Sequence, residues 1–557
     1  MIFEELKAIQ RQHGYLPSDQ LEALSKRINL PLYRIHGLAS FYPHFFLQPP
    51  ARSEVRVCMD MTCHLRGADE LKAALEKSFA SRPKGDVSIR DVSCLGQCDR
   101  APAIAVNDHI YIHQTLPSAE DLVKCPLKGE ALPPPRFDSD SVHLNSDPYP
   151  GGHQYGALRQ LSETRDYLGL IAALKAADLR GLGGAGFPTG AKWELVRNYP
   201  SDEKYIVCNA DESEPGTFKD RYIIEHMPHL LVEGMALAGL VTGALKGILY
   251  IRHEYEKQER IMEHEIARCY QEGILGKHLL GTDLTFDLEI FVSPGGYICG
   301  EESALLEAIE GKRSEPRNKP PFPGTHGLWQ KPTVINNVET FVNVPQILVR
   351  GVEWYKSQGQ NGTSGLKFVG VSGQVRNPGV FEVPMGVPAS ELIYNRAKGM
   401  LEGRKLKGFA PSGPSSGYLP ASMADIHMDF KTLAAAGSML GSGAMVVCDD
   451  TSCMLDMALN STKFFRNESC GKCVPCRMGS SKMVELIARW TRGQDIRGDR
   501  ELIDELSEAM RLTSICGLGQ VVPAPIASVL KHFPEEVEAH LKEKRCPGGV
   551  CFQGSAR

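Results

Sequence analysis

The chain of 557 residues is long enough for about three to five domains, each with its own core. Its formal net charge is only -5, with acids and bases interspersed, which excludes a basic nucleic-acid footprint. The 16 cysteines follow a start, Met1-Ile-Phe-Glu-Glu-Leu-Lys7, that lacks the basic flank and apolar core of a signal peptide, so they are expected as reduced thiols serving metals in the cytoplasm.

Residues 1 to about 50 read as helical, punctuated by Pro31 and Tyr42-Pro43. A βαβ unit follows. Glu54-Val-Arg-Val-Cys58 is a strand ending at a cysteine, Gly67 to Phe79 a helix, and Val87 to Cys94 a second strand entering a loop. The pairs Cys58-x4-Cys63 and Cys94-x3-Cys98 suit a [2Fe–2S] centre, in which each iron takes two thiolates. The alternative, a redox disulfide domain, uses C-x2-C, a spacing these pairs lack. The unit is expected over 1–130, with a Pro- and Ser-rich linker over 131–155.

Helical patterns then alternate with short β-branched strands over 156–350, among them Tyr205-Ile-Val-Cys208 and Gly247 to Ile251, which predicts a Rossmann-like α/β domain. The apolar stretch 234–245, about 12 residues long, is too short to span a bilayer and is expected as a buried helix. Gly181-Leu-Gly-Gly-Ala-Gly186 fits G-x-G-x-x-G, although a helix and not a strand precedes it. With Phe187, Pro188 and Lys192 it forms a stiff loop whose N–H groups and one cation would meet a phosphate; a packing loop is the alternative.

Polar segments cluster downstream. Asn209-Ala-Asp211-Glu212-Ser213-Glu214-Pro-Gly216 follows a strand end, and Gly295-Gly-Tyr297-Ile-Cys-Gly300-Glu301-Glu302 opens a helix. Their carboxylates suit the hydroxyls of a ribose or ribityl chain. Lys319-Pro-Pro-Phe322 offers a rigid aromatic, while Asn336, Asn337 and Thr340 offer bonds to a heterocycle edge. Each taken alone is also compatible with a solvated surface or a helix cap.

Residues 365–440 read as a small β-rich module of the β-grasp kind, and 445–535 as a helical bundle. Inside that bundle Cys470-x2-Cys473-x2-Cys476 and the distant Cys516 supply four converging thiolates, the ligand set of a [4Fe–4S] cubane. A zinc ribbon would normally pair two C-x2-C knuckles. In the tail, 536–557, His540, Cys546 and Cys551 join the isolated Cys453 as a complete tetrahedral set for structural zinc, against the alternative of a frayed reduced tail. Cys125, Cys208, Cys269, Cys299 and Cys448 have no partners in spacing and are expected as small buried hydrophobes.

Residues 182–193, 209–221, 296–310 and 319–340, with both parts of the four-cysteine cage, resemble the NADH- and FMN-binding subunit of respiratory complex I, and residues 1–128 resemble its thioredoxin-like [2Fe–2S] partner, here fused in front. Such fusions are similar to the beta subunits of NAD-linked formate dehydrogenases and the flavin subunits of NAD-linked hydrogenases. The resemblance implies FMN against Gly181, Gly183, Gly184 and Gly186, with Lys192, Asn209 and Asp211 at its phosphate and ribityl chain and Tyr297, Gly300, Asn336, Asn337 and Thr340 around it. It implies NAD(H) over the flavin, adenine between Phe187 and Phe322, and Glu214, Glu301, Glu302 and Lys319 on its polar groups, with Glu212 and Ser213 in the same segment. Any proton-coupled step would fall to Glu214, Glu301 and Glu302. Leu195 stands where the family often has a second aromatic, which would weaken adenine stacking.

The leading expectation is therefore a diaphorase subunit of a hetero-oligomer, with other iron–sulfur subunits and a catalytic partner that handles the second substrate, formate or hydrogen. Leu182, where complex I relatives usually carry Arg, and the fused front domain lean toward formate; the zinc-like tail leans toward a hydrogenase-type or electron-bifurcating assembly. A non-catalytic electron wire and a zinc-dependent nucleic-acid binder are the competing classes, and the near-neutral charge counts against the second.

Overall fold

A computed structural model describes residues 2–135, 144–149, 151 and 154–552. Part of the expected linker, residues 136–143, 150 and 152–153, lies outside them. Three mixed sheets organise the chain.

The first sheet holds β1 (Ser53–Cys58), β2 (Val87–Val92), β3 (Ile104–Val106) and β4 (His109–Tyr111) in the order β2-β1-β3-β4. Helix Ala68–Phe79 makes the crossover between β1 and β2, and the i, i+4, i+8 spacing of Leu71, Leu75 and Phe79 turns one stripe onto the sheet. β1 and β2 are parallel with Cys58 opposite Val92, so the loops after them, which carry all four cysteines, emerge side by side. The three leading helices, Ile2–His13, Ser18–Ile28 and Leu32–Ala39, pack elsewhere: Phe3, Leu6, Leu21, Leu24 and Ile35 share a core with Tyr250, Phe291 and Ile298 of the next unit. Tyr42 ties them further, donating to Lys312 O at 2.6 Å.

The second sheet contains β5 (Tyr205–Ala210), β6 (Lys246–Ile251), β7 (Gly276–Lys277), β8 (Thr285–Val292) and β9 (Thr333–Asn337), ordered β7-β8-β6-β5-β9. Apart from the short β7 these strands are parallel. The chain steps outward from β5 to β6 to β8, then returns to the far side of β5 as β9. The reversal opens a crevice at the carboxyl ends of β5 and β9, where doubly wound sheets bind ligands, and the register sets Asn209 directly against Asn337 there. Helix Pro228–Thr242 is buried along almost its whole length and accounts for most of the apolar stretch noted above. Among the described residues no helix is long and apolar enough to cross a membrane.

The third sheet comprises β10 (Leu366–Gly373), β11 (Gly379–Pro384), β12 (Leu406–Ala410), β13 (Leu419–Pro420) and β14 (Ala444–Asp449), ordered β11-β10-β14-β12-β13 with β10 and β14 parallel at its centre. β14 contains the Met445–Cys448 strand that in sequence abuts the helical region. Between β11 and β12 lies a π-helix, Glu391–Arg396. Beyond β14 come helices Met454–Asn467, Val474–Thr491, Asp499–Thr513, Gly517–Val521, Ala524–His532 and Pro534–Leu541.

Glu233, fully buried in helix Pro228–Thr242, accepts from Leu158 N at 2.9 Å and Tyr149 Oη at 3.0 Å, anchoring the segment that enters the α/β domain. Burial pushes its carboxyl from 4.5 up to about 7. A carboxyl that keeps its proton on folding stabilises the folded chain below the unfolded value, and that contribution is lost as pH rises through the folded one, by about 1.4 kcal/mol per pH unit. Thermal melts of wild type and Glu233→Gln should therefore show the wild type losing ground between pH 4.5 and 7 and a constant offset above; a pH-independent offset throughout refutes this.

Candidate functional site

The glycine loop is pinned to the end of β9. Gly181 N donates to Phe187 O at 2.9 Å, closing the loop, and Leu182 N donates to Thr340 Oγ1 at 2.9 Å. A Cβ on Gly183 would stand 2.7 Å from Asn337 Cβ, and Gly186 combines a φ of 64° with a Phe430 ring 2.9 Å from where its Cβ would lie. Only glycine fits at either place. Lys192 Nζ donates to Ile335 O at 2.9 Å, and burial lowers its pKa. Trp193 Nε1 donates to Asn336 Oδ1 at 3.2 Å, while Asn209 Nδ2 donates to Gly300 O at 2.7 Å. The crevice thus gathers the loop, Lys192, Asn209, Asp211, Gly300, Asn336, Asn337 and Thr340.

Asp211 supplies a test of whether a polar ligand fits. Its Oδ1 accepts from Ser213 Oγ at 3.0 Å, but Oδ2 is buried with no protein partner. Burial pushes the carboxyl up to about 7. An orphaned buried acceptor of this kind calls for a bound donor, and the hydroxyl-rich ribityl chain of FMN is such a group.

The neighbouring acids divide by role. Glu212 accepts from Asp220 N at 2.9 Å, Arg221 N at 3.1 Å and Tyr255 Oη at 2.9 Å, so its oxygens brace the protein itself. Glu214 accepts from Ser415 N at 3.1 Å, and burial lifts it to about 7. Glu301 caps helix Glu302–Ile309 through Ser303 N and Ala304 N, both at 2.9 Å. Lys319 Nζ bridges Glu301 at 2.9 Å and Glu302 at 2.5 Å; burial opposes its charge, but the two carboxylates outweigh that and raise its pKa. Phe187 and Phe322 remain 52% and 55% exposed, with Leu195 at 46%. These rings are available for stacking.

Cys58, Cys63, Cys94 and Cys98 are buried to 3% exposure or less, with the Cys94 and Cys98 sulfurs 3.4 Å apart. This pocket is sealed by the second unit. Gly216 N donates to Cys98 Sγ at 3.3 Å, Arg252 Nη2 to Cys94 O at 2.8 Å, and Arg221 Nη1 to Gly96 O at 2.6 Å. Neither arginine is visible as a site residue in the sequence. The one usable signal is that Arg252 is the first residue beyond β6, at the ligand-binding end of the sheet.

Cys470, Cys473, Cys476 and Cys516 line a shallow recess together with Ile298, Pro316 and Leu518. Cys473 is the N-cap of helix Val474–Thr491. Burial pushes Cys476 up to about 11 and Cys516 up to about 12, so any metal taken up there must displace protons. Ile298 follows Tyr297 directly, and Tyr297 packs on Phe464 with ring centroids 5.1 Å apart. In the same short turn Gly300 O accepts from Asn209, so one turn borders both the recess and the crevice. In the tail, the ligand atoms of Cys453, His540, Cys546 and Cys551 lie within 4.8 Å of one another. His540 Nδ1 meets Glu536 O at 2.7 Å, and Nε2 lies 3.4 Å from Cys453 Sγ.

Two cysteine cages beside a polar crevice define an iron–sulfur component of an oxidoreductase. Three family models match in the same order: thioredoxin-like [2Fe-2S] ferredoxin over residues 1–125, Nuo51 FMN-binding domain over 174–346, and NADH-ubiquinone oxidoreductase-F iron-sulfur binding region over 456–540. The second F subunit of the NADH-quinone oxidoreductase of Rhizobium meliloti (strain 1021) is 45% identical over 410 residues, 74% of this chain and 97% of that protein. The HndC subunit of the NADP-reducing hydrogenase of Solidesulfovibrio fructosivorans is 42% identical over 382 residues, 69% and 78% of the two chains. A chain of the NAD+-reducing [NiFe]-hydrogenase crystal structure in the air-oxidized state superposes with a TM-score of 0.85 at 32% identity, covering 97% of this chain and 93% of that one. The chain belongs to the family of NADH-quinone oxidoreductase F subunits, with a thioredoxin-like [2Fe–2S] domain joined in front.

If the glycine loop cradles a flavin, Gly183→Ala pushes Asn337 out of place and lowers flavin content severalfold while iron content holds. Absorbance at 450 nm after denaturation, set against iron analysis, reads both; full flavin retention refutes the assignment.

Proposed function

We propose that the chain oxidises NADH at the crevice between β5 and β9 and sends the electrons toward its iron–sulfur centres and a partner subunit. The observation that carries this reading is the short turn Tyr297–Gly300, in which Ile298 lines the four-cysteine recess while Gly300 O accepts from Asn209 in the crevice. FMN, when bound, accepts a hydride from NADH and releases the pair one electron at a time. The chain's own contribution is alignment and exclusion of water. The glycine loop, Lys192, Asn209, Asp211, Asn336, Asn337 and Thr340 hold the flavin, Phe187 and Phe322 clasp the adenine, and Glu301, Glu302 and Lys319 fix the polar edge of the nucleotide. Glu214 near the ribose disfavours a 2′-phosphate and so favours NAD over NADP.

Cys58, Cys63, Cys94 and Cys98 hold the [2Fe–2S] centre, and Cys470, Cys473, Cys476 and Cys516 the [4Fe–4S] centre. The two sets have the donor chemistry these clusters require, the first fully buried and the second partly so. The third sheet supports a β-grasp module: its first and last strands, β10 and β14, lie parallel in the centre, with β11 on one side and the antiparallel β12 and β13 on the other. As working limits, the leading helices go with the α/β domain whose core they share, and the β module runs on to Asp449. The second substrate belongs to a catalytic partner, a hydrogenase or a formate dehydrogenase. The likeness to a hydrogenase chain supports the first. Co-purifying subunits decide between them.

Flavin-loaded chain, isolated from its partners, is expected to reduce ferricyanide or a viologen with NADH. A flavin-loaded preparation that does not would refute the catalytic reading and leave an electron wire.

The tail carries a second reading. Three thiols and an imidazole within 4.8 Å, with His540 Nδ1 held by a backbone carbonyl, form a closed structural zinc site. Elemental analysis should find about one zinc per chain, lost in Cys546→Ser with iron and flavin retained. Equal zinc in both proteins overturns the assignment.

A further inference from the structure

One carboxylate touches the loops of all three redox sites. Glu468 stands at the end of helix Met454–Asn467, two residues before Cys470, and its own N–H bonds back to Phe464 O at 3.0 Å. Its Oε1 accepts from Ser93 Oγ, the residue before Cys94. Its Oε2 accepts from Tyr297 N at 2.7 Å, beside Gly296, where an added Cβ would lie 3.6 Å from the same oxygen. The next residue, Ser469, bonds through Oγ to Cys476 Sγ at 3.2 Å. Short 3-10 turns aside, these loops have no regular backbone structure of their own, so their relative placement rests on such contacts.

We propose that Glu468 is a positioning residue that sets the spacing between the flavin crevice and both iron–sulfur centres, and so governs how fast electrons leave the flavin. The proposal rests on the redox reading above. Its physical basis is distance: tunnelling between centres falls off exponentially with separation, and the two oxygens of one side chain fix two separations at once. Removing them leaves the Tyr297 N–H and the Ser93 hydroxyl without their acceptor, and a polar group stranded inside the protein moves to find another partner.

The test uses the full-length holoprotein in stopped flow, following flavin bleaching by absorbance and each reduced cluster by freeze-quench EPR. Glu468→Gln keeps both contacts, since its amide oxygen still accepts from Tyr297 N while its NH2 donates to the Ser93 oxygen. Glu468→Ala keeps neither. Because tunnelling falls exponentially with separation, cluster reduction in Glu468→Ala should slow severalfold relative to flavin bleaching, with the EPR line shapes shifted. In Glu468→Gln the ratio stays near wild type. Ser93→Ala, which removes one contact at a site that tolerates a small side chain, should slow the [2Fe–2S] centre alone and keeps the test decisive should Glu468→Ala lose its cofactors. Wild-type ratios in Glu468→Ala, equal damage from Gln and Ala, or slowing of both clusters in Ser93→Ala would each overturn the proposal. Absence of flavin bleaching in the wild type would count against the catalytic reading instead.

Discussion

Irregular backbone inside a protein carries carbonyls that no helix or strand satisfies, and every cofactor loop in this chain faces that constraint. Two buried arginines meet it. Arg252, 3% exposed, bonds to Cys94 O at 2.8 Å and to Glu212 O at 2.5 Å, and Arg221, 4% exposed, bonds to Gly96 O at 2.6 Å and Gln97 Oε1 at 2.7 Å. A guanidinium suits the task because its donors are several and fixed in direction. Its charge is answered locally, by Glu254 for Arg252 at 3.0 Å and by Asp99 for Arg221 at 2.6 Å. Both arginines belong to the α/β domain, while most of the carbonyls they hold belong to the [2Fe–2S] loop. The first sheet therefore presents two cysteine loops that only the second unit completes.

This division explains what the sequence reveals and what it hides. Cys470, Cys473 and Cys476 announce themselves because three ligands of one centre sit within seven residues, and local spacing survives folding unchanged. The glycine loop is legible for the same reason. Asn209 and Asn337 are each visible as polar residues at strand ends, but their adjacency depends on the parallel register of β5 and β9, which no local pattern encodes. Phe3, Leu6, Leu21 and Leu24 show their apolar stripe plainly, yet a stripe does not name the core it enters, and here it enters the α/β domain and not the cysteine domain that follows in sequence. Arg252 is the hardest case: an arginine after a strand reads as a surface residue until the loop it satisfies is folded over it.

Buried charge also joins the crevice to the third sheet. Lys219 Nζ contacts Asp220 at 2.5 Å, Asn337 Oδ1 at 3.1 Å and Glu339 at 3.0 Å. Glu339 in turn pairs with Lys367 of β10 and accepts from Phe368 N at 2.8 Å. Burial pulls Lys367 down to about 8, a sign that the pair is held at the expense of hydration. Networks of this kind add little net stability against an apolar core, but they fix direction. The group whose direction matters here is Asn337, held from both ends by Lys219 and by Asp220 at 2.5 Å, against the loop where Gly183 leaves it room.

Helix Met454–Asn467 draws these contacts into one mechanical element. At its N-terminal end Cys453 caps the helix and joins the proposed tail site. One turn on, Asp456 meets His64 Nε2 at 2.7 Å; burial opposes a charge on that imidazole, but Asp456 and Asp69 together lift it to about 10, so it is an imidazolium at neutral pH. His64 follows Cys63. A further turn along, Asn460 accepts from Met61 N and donates to Met59 O, both at 2.8 Å, clasping the backbone between Cys58 and Cys63. The helix ends at Glu468 and the first cysteine of the four-thiol recess. At 1.5 Å per residue its 14 residues span about 21 Å, and along that length it grips the tail, the [2Fe–2S] loop and the [4Fe–4S] loop in turn. A strut anchored at both ends resists sliding: at one end Cys453 caps the helix and lies among His540, Cys546 and Cys551 of the tail, and at the other Glu468 accepts from Tyr297 N at 2.7 Å.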